Sequence, residues 1–338
     1  MPDVTVIVPC FNEATTIGAL LQALLDQTHP VKEMQILVVD GGSTDGTQAV
    51  VSAFAESHAE MNIELLQNPA RMIPHALNIG IGSASGEVVI RLDAHSVPYP
   101  DYVQLCLETL EKTEAANVGG AWEIHPGTET WIARSIAAAA SHPLGAGDAR
   151  YRTAGQAGEV ETVPFGAFRA DWLRRVGPFN EALLTNEDYE YNARILKAGG
   201  KIWFDPGIRT IYFARSRYAG LARQYARYGY WKARMLLAHP GTLRWRQAAP
   251  PAFVAAMVVL GLGSVFWQAA RWLLAVQLGG YAAVTILAGI LEAFRRRDPA
   301  VSVGFAIALW VMHLSWGGAF LVGLFLRLPQ ATHEYDRA

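Results

Sequence analysis

The sequence predicts an α/β fold, a doubly wound, Rossmann-like mixed sheet, followed by a C-terminal transmembrane helical region. Three observations carry this expectation. Short β-branched runs alternate with helically spaced segments through the first hundred residues, as strands joined by crossover helices do. Several of those runs end in Gly-, Asp- or Pro-bearing turns, the place where open α/β sheets bind ligands. Beyond residue 250 the chain consists mainly of three long, largely uncharged segments.

The elements follow in order. Val4-Thr5-Val6-Ile7-Val8 reads as a buried strand stopped by Pro9, and residues 15–25 place Ile17, Leu20, Leu21 and Leu24 on one helical face. Gln35-Ile36-Leu37-Val38-Val39 is a second strand, and residues 40–47 form a glycine-rich turn into a helix. Ile63-Glu64-Leu65-Leu66 is a third strand, residues 74–83 a helix, and Val88-Val89-Ile90-Arg91-Leu92 a fourth strand. Further on, Trp122-Glu123-Ile124 and Thr162-Val163 read as strands, residues 170–176 and 188–198 as helices, and residues 143–159 as a mobile loop. Segments 251–267, 272–294 and 301–326 are 17 to 26 residues long, against the roughly 20 that a bilayer needs. The first is short enough that a re-entrant hairpin with the second is an alternative. The expected divisions are a catalytic domain at 1–214, basic amphipathic interfacial helices at 215–249, a transmembrane region of about three helices at 250–327 and a tail at 328–338.

Charge separates the two halves. Residues 1–205 carry 26 acidic and 13 basic side chains, whereas residues 206–338 carry 4 and 15, and the whole chain is only −2. The basic block leads directly into apolar segments, so its expected partner is an anionic membrane surface and not nucleic acid. Arg295-Arg296-Arg297 between the second and third segments outweighs Arg271 between the first and second, so the positive-inside rule keeps the N-terminal domain and the triple arginine in the cytoplasm. Met-Pro-Asp-Val-Thr-Val-Ile-Val has no signal-peptide pattern, and Cys10 and Cys106 make neither a disulfide framework nor a metal-ligand spacing. The expected location is therefore the cell (inner) membrane, multi-pass, with the catalytic domain cytoplasmic.

Three stretches carry candidate chemistry. Asp93-Ala94-His95 follows the fourth strand, where a carboxylate and an imidazole one residue apart could share a divalent cation, and the cation a diphosphate. The turn Asp40-Gly41-Gly42-Ser43-Thr44-Asp45-Gly46-Thr47 lacks the Gly-Lys-Ser/Thr of a P-loop and the Gly-x-Gly-x-x-Gly of a dinucleotide loop; taken alone it fits a capped structural turn or a binding loop equally. Glu187, Asp188 and Glu190 crowd a helix start, where the helix dipole stabilises acids and where one of them could serve as a general base. Gln224, Arg227 and Tyr228, with Arg223, Tyr225, Trp231 and Arg234, suit either a snorkelling surface helix or one that meets phosphate.

Together and in this order the motifs resemble the inverting glycosyltransferases of family 2, which have the GT-A fold, and among them the succinoglycan-biosynthesis type of membrane-associated glucosyltransferase. The resemblance spans about residues 3–235: Val8-Pro9-Cys10-Phe11-Asn12-Glu13, residues 38–47, Asn68 to Arg71, Ala76 to Ile81, Arg91 to His95, Pro164 to Arg169, Asn186-Glu187-Asp188, and Gln224-x-x-Arg227-Tyr228 as a variant of the family's Gln-x-x-Arg-Trp. It implies nucleotide-sugar contacts from Pro9, Phe11, Glu13, Asp40, Arg71 and Asp93, and Mn²⁺ or Mg²⁺ on Asp93 and His95, with the imidazole favouring Mn²⁺. It implies catalysis by Asp188 beside Glu187, and acceptor or diphosphate contacts from Phe165, Gly166, Gln224, Arg227 and Tyr228. This chain departs from the pattern at Gly41, where the family often has a second Asp, and at His95, which replaces an Asp.

The function so implied is inverting transfer of a hexose, glucose by resemblance, from a UDP-type nucleotide sugar to a lipid-linked (polyprenyl-diphosphate) saccharide. Within the same class the alternatives are a polyprenyl-phosphate glycosyltransferase and a processive synthase, the latter disfavoured by only three membrane segments. From another class, a transporter or scaffold with a nucleotide-sugar-sensing domain should line its path with intramembrane ionisable groups, for which only His313 and Glu292 qualify.

Overall fold

The structure, a computed structural model, describes residues 3–153, 155–183, 185–238 and 243–326. The chain forms two compact units: residues 3–123 with 155–212, and residues 124–153 with 213–326. The expected tail at 328–338, with Arg327, lies outside the described residues.

The first unit opens with β1 (Val4–Cys10), α1 (Ile17–Leu25), β2 (Met34–Asp40), α2 (Thr47–Ser57), β3 (Asn62–Gln67), α3 (Ile73–Ser83) and β4 (Val88–Arg91). β5 (Ser96–Pro98), α4 (Tyr102–Thr113) and β6 (Asn117–Pro126) follow. The chain then passes through α5 (Trp131–Ser141), α6 (Pro143–Ala146) and α7 (Arg150–Thr153) of the second unit. It returns as β7 (Gly158–Glu159), β8 (Ala167–Arg169), α8 (Ala170–Val176), α9 (Glu187–Lys197) and β9 (Ile202–Ala214). Among the described residues these strands make one sheet in the order β3-β2-β1-β4-β8-β6-β9-β5, with β7 on β9. β1 pairs in parallel with β2 and β4, and β2 with β3. β8 enters antiparallel between β4 and β6, which makes the sheet mixed.

Every residue of β1 and β2 is buried, as their unbroken apolar runs require of strands covered on both faces. Ile17, Leu20, Leu21 and Leu24 of α1 pack on Val6, Val8, Ile36 and Val38 in the same core. Because β1, β2 and β4 are parallel, their C-terminal ends share one edge, and the turns after Cys10, Asp40 and Arg91 all leave the sheet there.

Two local expectations are corrected. Residues 143–159 are not simply a loop: His142 caps α6, its Nδ1 accepting the Leu144 N–H at 3.1 Å, and α7 follows. Thr162-Val163 is not a strand; side-chain bonds from Asn192 to Thr162 Oγ1 (2.9 Å) and to the Val163 carbonyl (3.4 Å) take the place of a ladder.

The second unit adds α10 (Tyr218–Ala238), α11 (Trp245–Gly263), α12 (Gln268–Arg296) and α13 (Val301–Phe325). The last three are long and apolar enough to cross a membrane. α13 is the hub, burying Phe305, Ala308, Leu309 and Met312 against Ile136 and Ala139 of α5 and Tyr225 of α10. α10 is thereby packed along one side, with Lys232, Ala233 and Met235 buried. Pro250 and Pro251 lie inside α11, and the carbonyl that Pro251 leaves without its i+4 donor, that of Gln247, is taken by the Trp316 indole N–H at 3.2 Å. The ionisable groups singled out in the apolar segments are tied locally: His313 to the Tyr281 hydroxyl (2.5 Å) and the Leu144 carbonyl (3.0 Å), Glu292 to Arg296 (2.9 Å).

Candidate active site

The loops after β1 and β2 are knit by side chains reaching backbone donors. Asn12 N–H donates to Ser43 Oγ (2.8 Å), Thr44 N–H to Asn12 Oδ1 (2.9 Å), and Glu13 N–H to Thr47 Oγ1 (2.8 Å). Asp40, buried at the end of β2, accepts from the Gly42 and Ser43 N–H groups (3.0 and 2.9 Å), the Ser43 hydroxyl (2.5 Å) and Gln48 Nε2 (2.6 Å). Burial would raise its pKa, but the bonds from Ser43 and Gln48 outweigh burial and hold it below its ordinary value. Gly42 turns here with φ +79°, a conformation that favours glycine. Pro9 sits within β1, and the Arg71 guanidinium lies 5.7 Å from the centre of the Phe11 ring, making a flat shelf beside the Asp40 turn.

The second cluster is centred on Arg91, at the end of β4. Its buried guanidinium donates to Glu187 (2.9 Å) and Asp188 through Nη1, and to Asp93 through Nε and Nη2 (3.2 and 3.1 Å). β8 positions it, for the Arg91 N–H donates to the Gly166 carbonyl at 3.0 Å. Despite burial, the charges of Asp188, Asp93 and Glu187 raise the Arg91 pKa well above its ordinary value, so it stays protonated. Three carboxylates then face one cation. Burial pushes the Asp188 carboxyl up, Arg91 opposes this, Glu187 and Asp93 add to it, and the balance lies at about 7. The Glu187 side chain is 8 % exposed and that of Asp188 24 %, so Asp188 is the more accessible of the two. Glu190, the third acid of the helix start, pairs instead with Arg194 at 2.9 Å.

His95 stands outside the strand, its side chain 38 % exposed, with Nδ1 3.1 Å from Glu13 Oε1. A carboxylate on one ring nitrogen is the usual way an imidazole is oriented to present the other to a metal. Asp93 and His95 thus offer an oxygen and a nitrogen that could hold a divalent cation, the imidazole favouring Mn²⁺ over Mg²⁺, with Glu13 against the other side of the ring. Next to His95, Trp122 and Tyr212 stack with ring centres 4.3 Å apart and 5° between planes. Phe165 packs 5.3 Å from Trp122, and its carbonyl accepts the Tyr102 hydroxyl at 3.1 Å.

Asn12, Arg71, Phe165 and Asn186 hold positive φ angles of 55°, 57°, 48° and 66°. All four residues belong to the sequence motifs, while the same conformation at Glu114 and Arg297 caps the ends of α4 and α12.

Of the residues singled out from sequence, Pro9, Phe11, Glu13, Asp40, Arg71, Asp93, His95, Phe165, Gly166, Glu187 and Asp188 belong to the first unit. Gln224, Arg227 and Tyr228 belong to α10 of the second, where Gln224 Nε2 donates to the Tyr228 hydroxyl at 2.9 Å and Arg152 to the Tyr225 hydroxyl at 2.9 Å. Sequence reasoning gave no role to Arg91, although it quoted the residue, nor to Ser43, Gln48 or the Trp122–Tyr212 pair. The signal available for Arg91 was a cation inside an otherwise apolar strand.

A mixed sheet of this order, with an acidic cluster at the C-terminal edge of its parallel strands, is the arrangement of GT-A glycosyltransferases. The fold is that of the mannosyltransferase PcManGT from Pyrobaculum calidifontis, solved in complex with GDP-Man and Mn²⁺ (TM-score 0.63, 21% identity, covering 96% of this chain and 87% of that one). It is also that of S. aureus TarS 1-349 in complex with UDP (TM-score 0.50, 15% identity, 92% and 90%). The chain belongs to glycosyl transferase family 2, whose family model matches residues 5–177. It is 30% identical over 317 residues to the succinoglycan biosynthesis protein ExoA of Rhizobium meliloti (strain 1021), covering 93% of each chain. It is 29% identical over 242 residues to the dolichyl N-acetyl-α-D-glucosaminyl phosphate 3-β-D-2,3-diacetamido-2,3-dideoxy-β-D-glucuronosyltransferase of Methanococcus voltae, covering 70% of this chain and 74% of that one.

Proposed function

We infer that this glycosyltransferase moves a hexose, glucose first among candidates, from a UDP-type nucleotide sugar to a hydroxyl of a polyprenyl-diphosphate-linked saccharide. The transfer takes place at the cytoplasmic face of the cell membrane, inverts the anomeric centre and belongs to polysaccharide assembly. The observation that carries the reading is the Arg91 cluster, where Asp188 is presented beside Asp93 with its carboxyl near neutrality. Relatives named for succinoglycan biosynthesis and for transfer onto a dolichyl-linked sugar support the glycan and lipid-linked parts of it.

In this mechanism the Phe11–Arg71 shelf and the loop braced by Asp40 receive the nucleotide. Asp93 and His95 would hold Mn²⁺ or Mg²⁺, which supplies charge neutralisation to the diphosphate leaving group. Asp188 accepts the proton of the acceptor hydroxyl as that oxygen attacks the anomeric carbon opposite the diphosphate. One displacement needs no sugar–enzyme bond, so an α-linked donor gives a β-linked product. Arg91 holds Asp188 in place and remains cationic throughout. Phe165, Gly166 and the Trp122–Tyr212 face are on the acceptor side, and Gln224, Arg227 and Tyr228 meet a diphosphate.

The test is a donor screen on polyprenyl-diphosphate saccharides with the full chain in detergent, read by mass spectrometry. Addition of one hexose is expected, abolished by EDTA and restored by Mn²⁺. A ladder of long products would overturn single transfer, and product on bare polyprenyl phosphate alone would overturn the acceptor. Asp188→Asn should lower turnover by about 10²–10⁴-fold while donor binding persists; unchanged turnover would remove Asp188 as the base.

A further inference from the structure

The opposite, N-terminal edge of the sheet carries a second ligand set that the transferase chemistry does not use. Asp3 precedes β1 and Glu33 precedes β2, and the parallel register starting at Val4 opposite Met34 makes them neighbours. The Asp3 N–H donates to the Glu33 carbonyl at 2.9 Å, which fixes the two backbones together. His29 lies four residues before Glu33, in the segment that brings the chain from α1 to β2. One ligand atom from each of Asp3, His29 and Glu33 lies within 4.8 Å of the other two.

The histidine makes this more than an acidic surface. Its side chain is 6 % exposed, whereas both carboxylates are exposed, and its Nε2 is closed to solvent without a hydrogen-bond partner among the described residues. Glu33 Oε2 lies 3.8 Å from that nitrogen, too far for a hydrogen bond. A buried ring nitrogen with no partner is costly, and such groups mark places where something else completes the coordination. One imidazole nitrogen and two carboxylate oxygens form a donor set suited to zinc with a water in the fourth position. Mg²⁺ and Ca²⁺ prefer oxygen alone, and the affinity order of divalent ions also favours zinc over Mn²⁺. In a tetrahedral shell the ligand atoms stand roughly 3.3 Å apart, so modest rotations of the exposed Asp3 and Glu33 side chains close the set around the fixed His29.

We propose that Asp3, His29 and Glu33 bind a zinc ion that clamps the start of β1 to the start of β2, at the sheet edge away from Asp93 and Asp188. The site is independent of the function proposed above. It is tested on the full chain in detergent, stripped with EDTA and titrated with Zn²⁺ alone against a chromophoric chelator. The background is Asp93→Asn with His95→Gln, so zinc at the catalytic edge is not counted.

One zinc per chain is expected there. Affinity should fall at least about tenfold in Asp3→Asn and Glu33→Gln, and further in His29→Gln, as loss of a direct ligand exceeds the roughly 10–100-fold effect of losing an outer partner. X-ray absorption should show nitrogen and oxygen ligands at about 2.0–2.1 Å. Metal-free unfolding midpoints check folding, since Asp3 and Glu33 are exposed and their amide variants should match the background protein. At equal zinc concentration the midpoint of the background protein should rise by more than that of Glu33→Gln. Equal zinc affinity in all three variants, or no zinc retained in the background protein, would overturn the proposal.

Discussion

Three carboxylates share one guanidinium at Arg91, and burial, together with this shortage of positive charge, decides how Asp188 titrates. A base must be deprotonated to act, so with its carboxyl pushed up to about 7 the rate should rise with pH through neutrality and level off above it. Arg91 is the group that opposes the rise. Arg91→Gln should therefore move the limb of kcat/KM to higher pH, and lower the unfolding midpoint as well, since breaking a buried pair costs about 3–5 kcal/mol. A limb that stays in place would show that the guanidinium does not set the titration. Asp188 was legible in the sequence as part of an acidic helix start within a recognisable motif, and Asp93 and His95 as two candidate ligands at a strand end. The role of Arg91 was not, because its partners Glu187 and Asp188 lie 96 and 97 residues downstream and only the sheet brings them back. Ordered motifs name the groups, but the charge balance among them is a property of the fold.

At the level of strands and helices, the sequence pattern served best where one element's own burial decides its residues. β1, β2 and α1 are of this kind, with periodicities that are their own evidence. α6 and α7 were not readable, because what orders them is distant: the Leu144 carbonyl accepts from His313, and Arg152 donates to Tyr225. Likewise, β8 has three residues and β7 two, too short to show alternation. The paired prolines of α11 look from sequence like a poor start for a membrane helix. In the fold, Trp316 of α13 supplies the donor that Pro251 lacks. Trp316→Phe removes that N–H together with one ring of the indole. It should destabilise the chain by about 1–3 kcal/mol, the cost of a buried carbonyl left unpaired, seen as a lower unfolding midpoint in detergent. Pairing Trp316→Phe with Pro251→Ala, which restores the helix's own donor to Gln247, should recover most of the loss. Failure to recover would assign the effect to ring packing instead.

The charge division of the chain, −13 before residue 206 and +11 after it, is kept by its two compact units. Residues 124–153 belong by sequence to the acidic half, yet they pack with the C-terminal helices, and Arg134 of this segment pairs with Asp298 at 2.7 Å. Orientation in a bilayer rests on the short loops beside the candidate spanning helices and not on the net charge of either half. Three arginines lie at the α12–α13 turn and one beside the α11–α12 turn, so the first of these turns is expected inside and the second outside. Single cysteines read this directly, because Cys10 and Cys106 are buried and silent toward a thiol reagent. In intact cells, Phe266→Cys in the α11–α12 turn should be modified by a membrane-impermeant maleimide, and Pro299→Cys in the α12–α13 turn only after the membrane is opened. Protection of both positions would mean that α11 and α12 re-enter from the inner face as a hairpin. Labelling of Pro299→Cys in intact cells would place the transferase site on the outer side, away from any cytoplasmic nucleotide sugar, and would overturn the orientation together with the donor proposed for the enzyme.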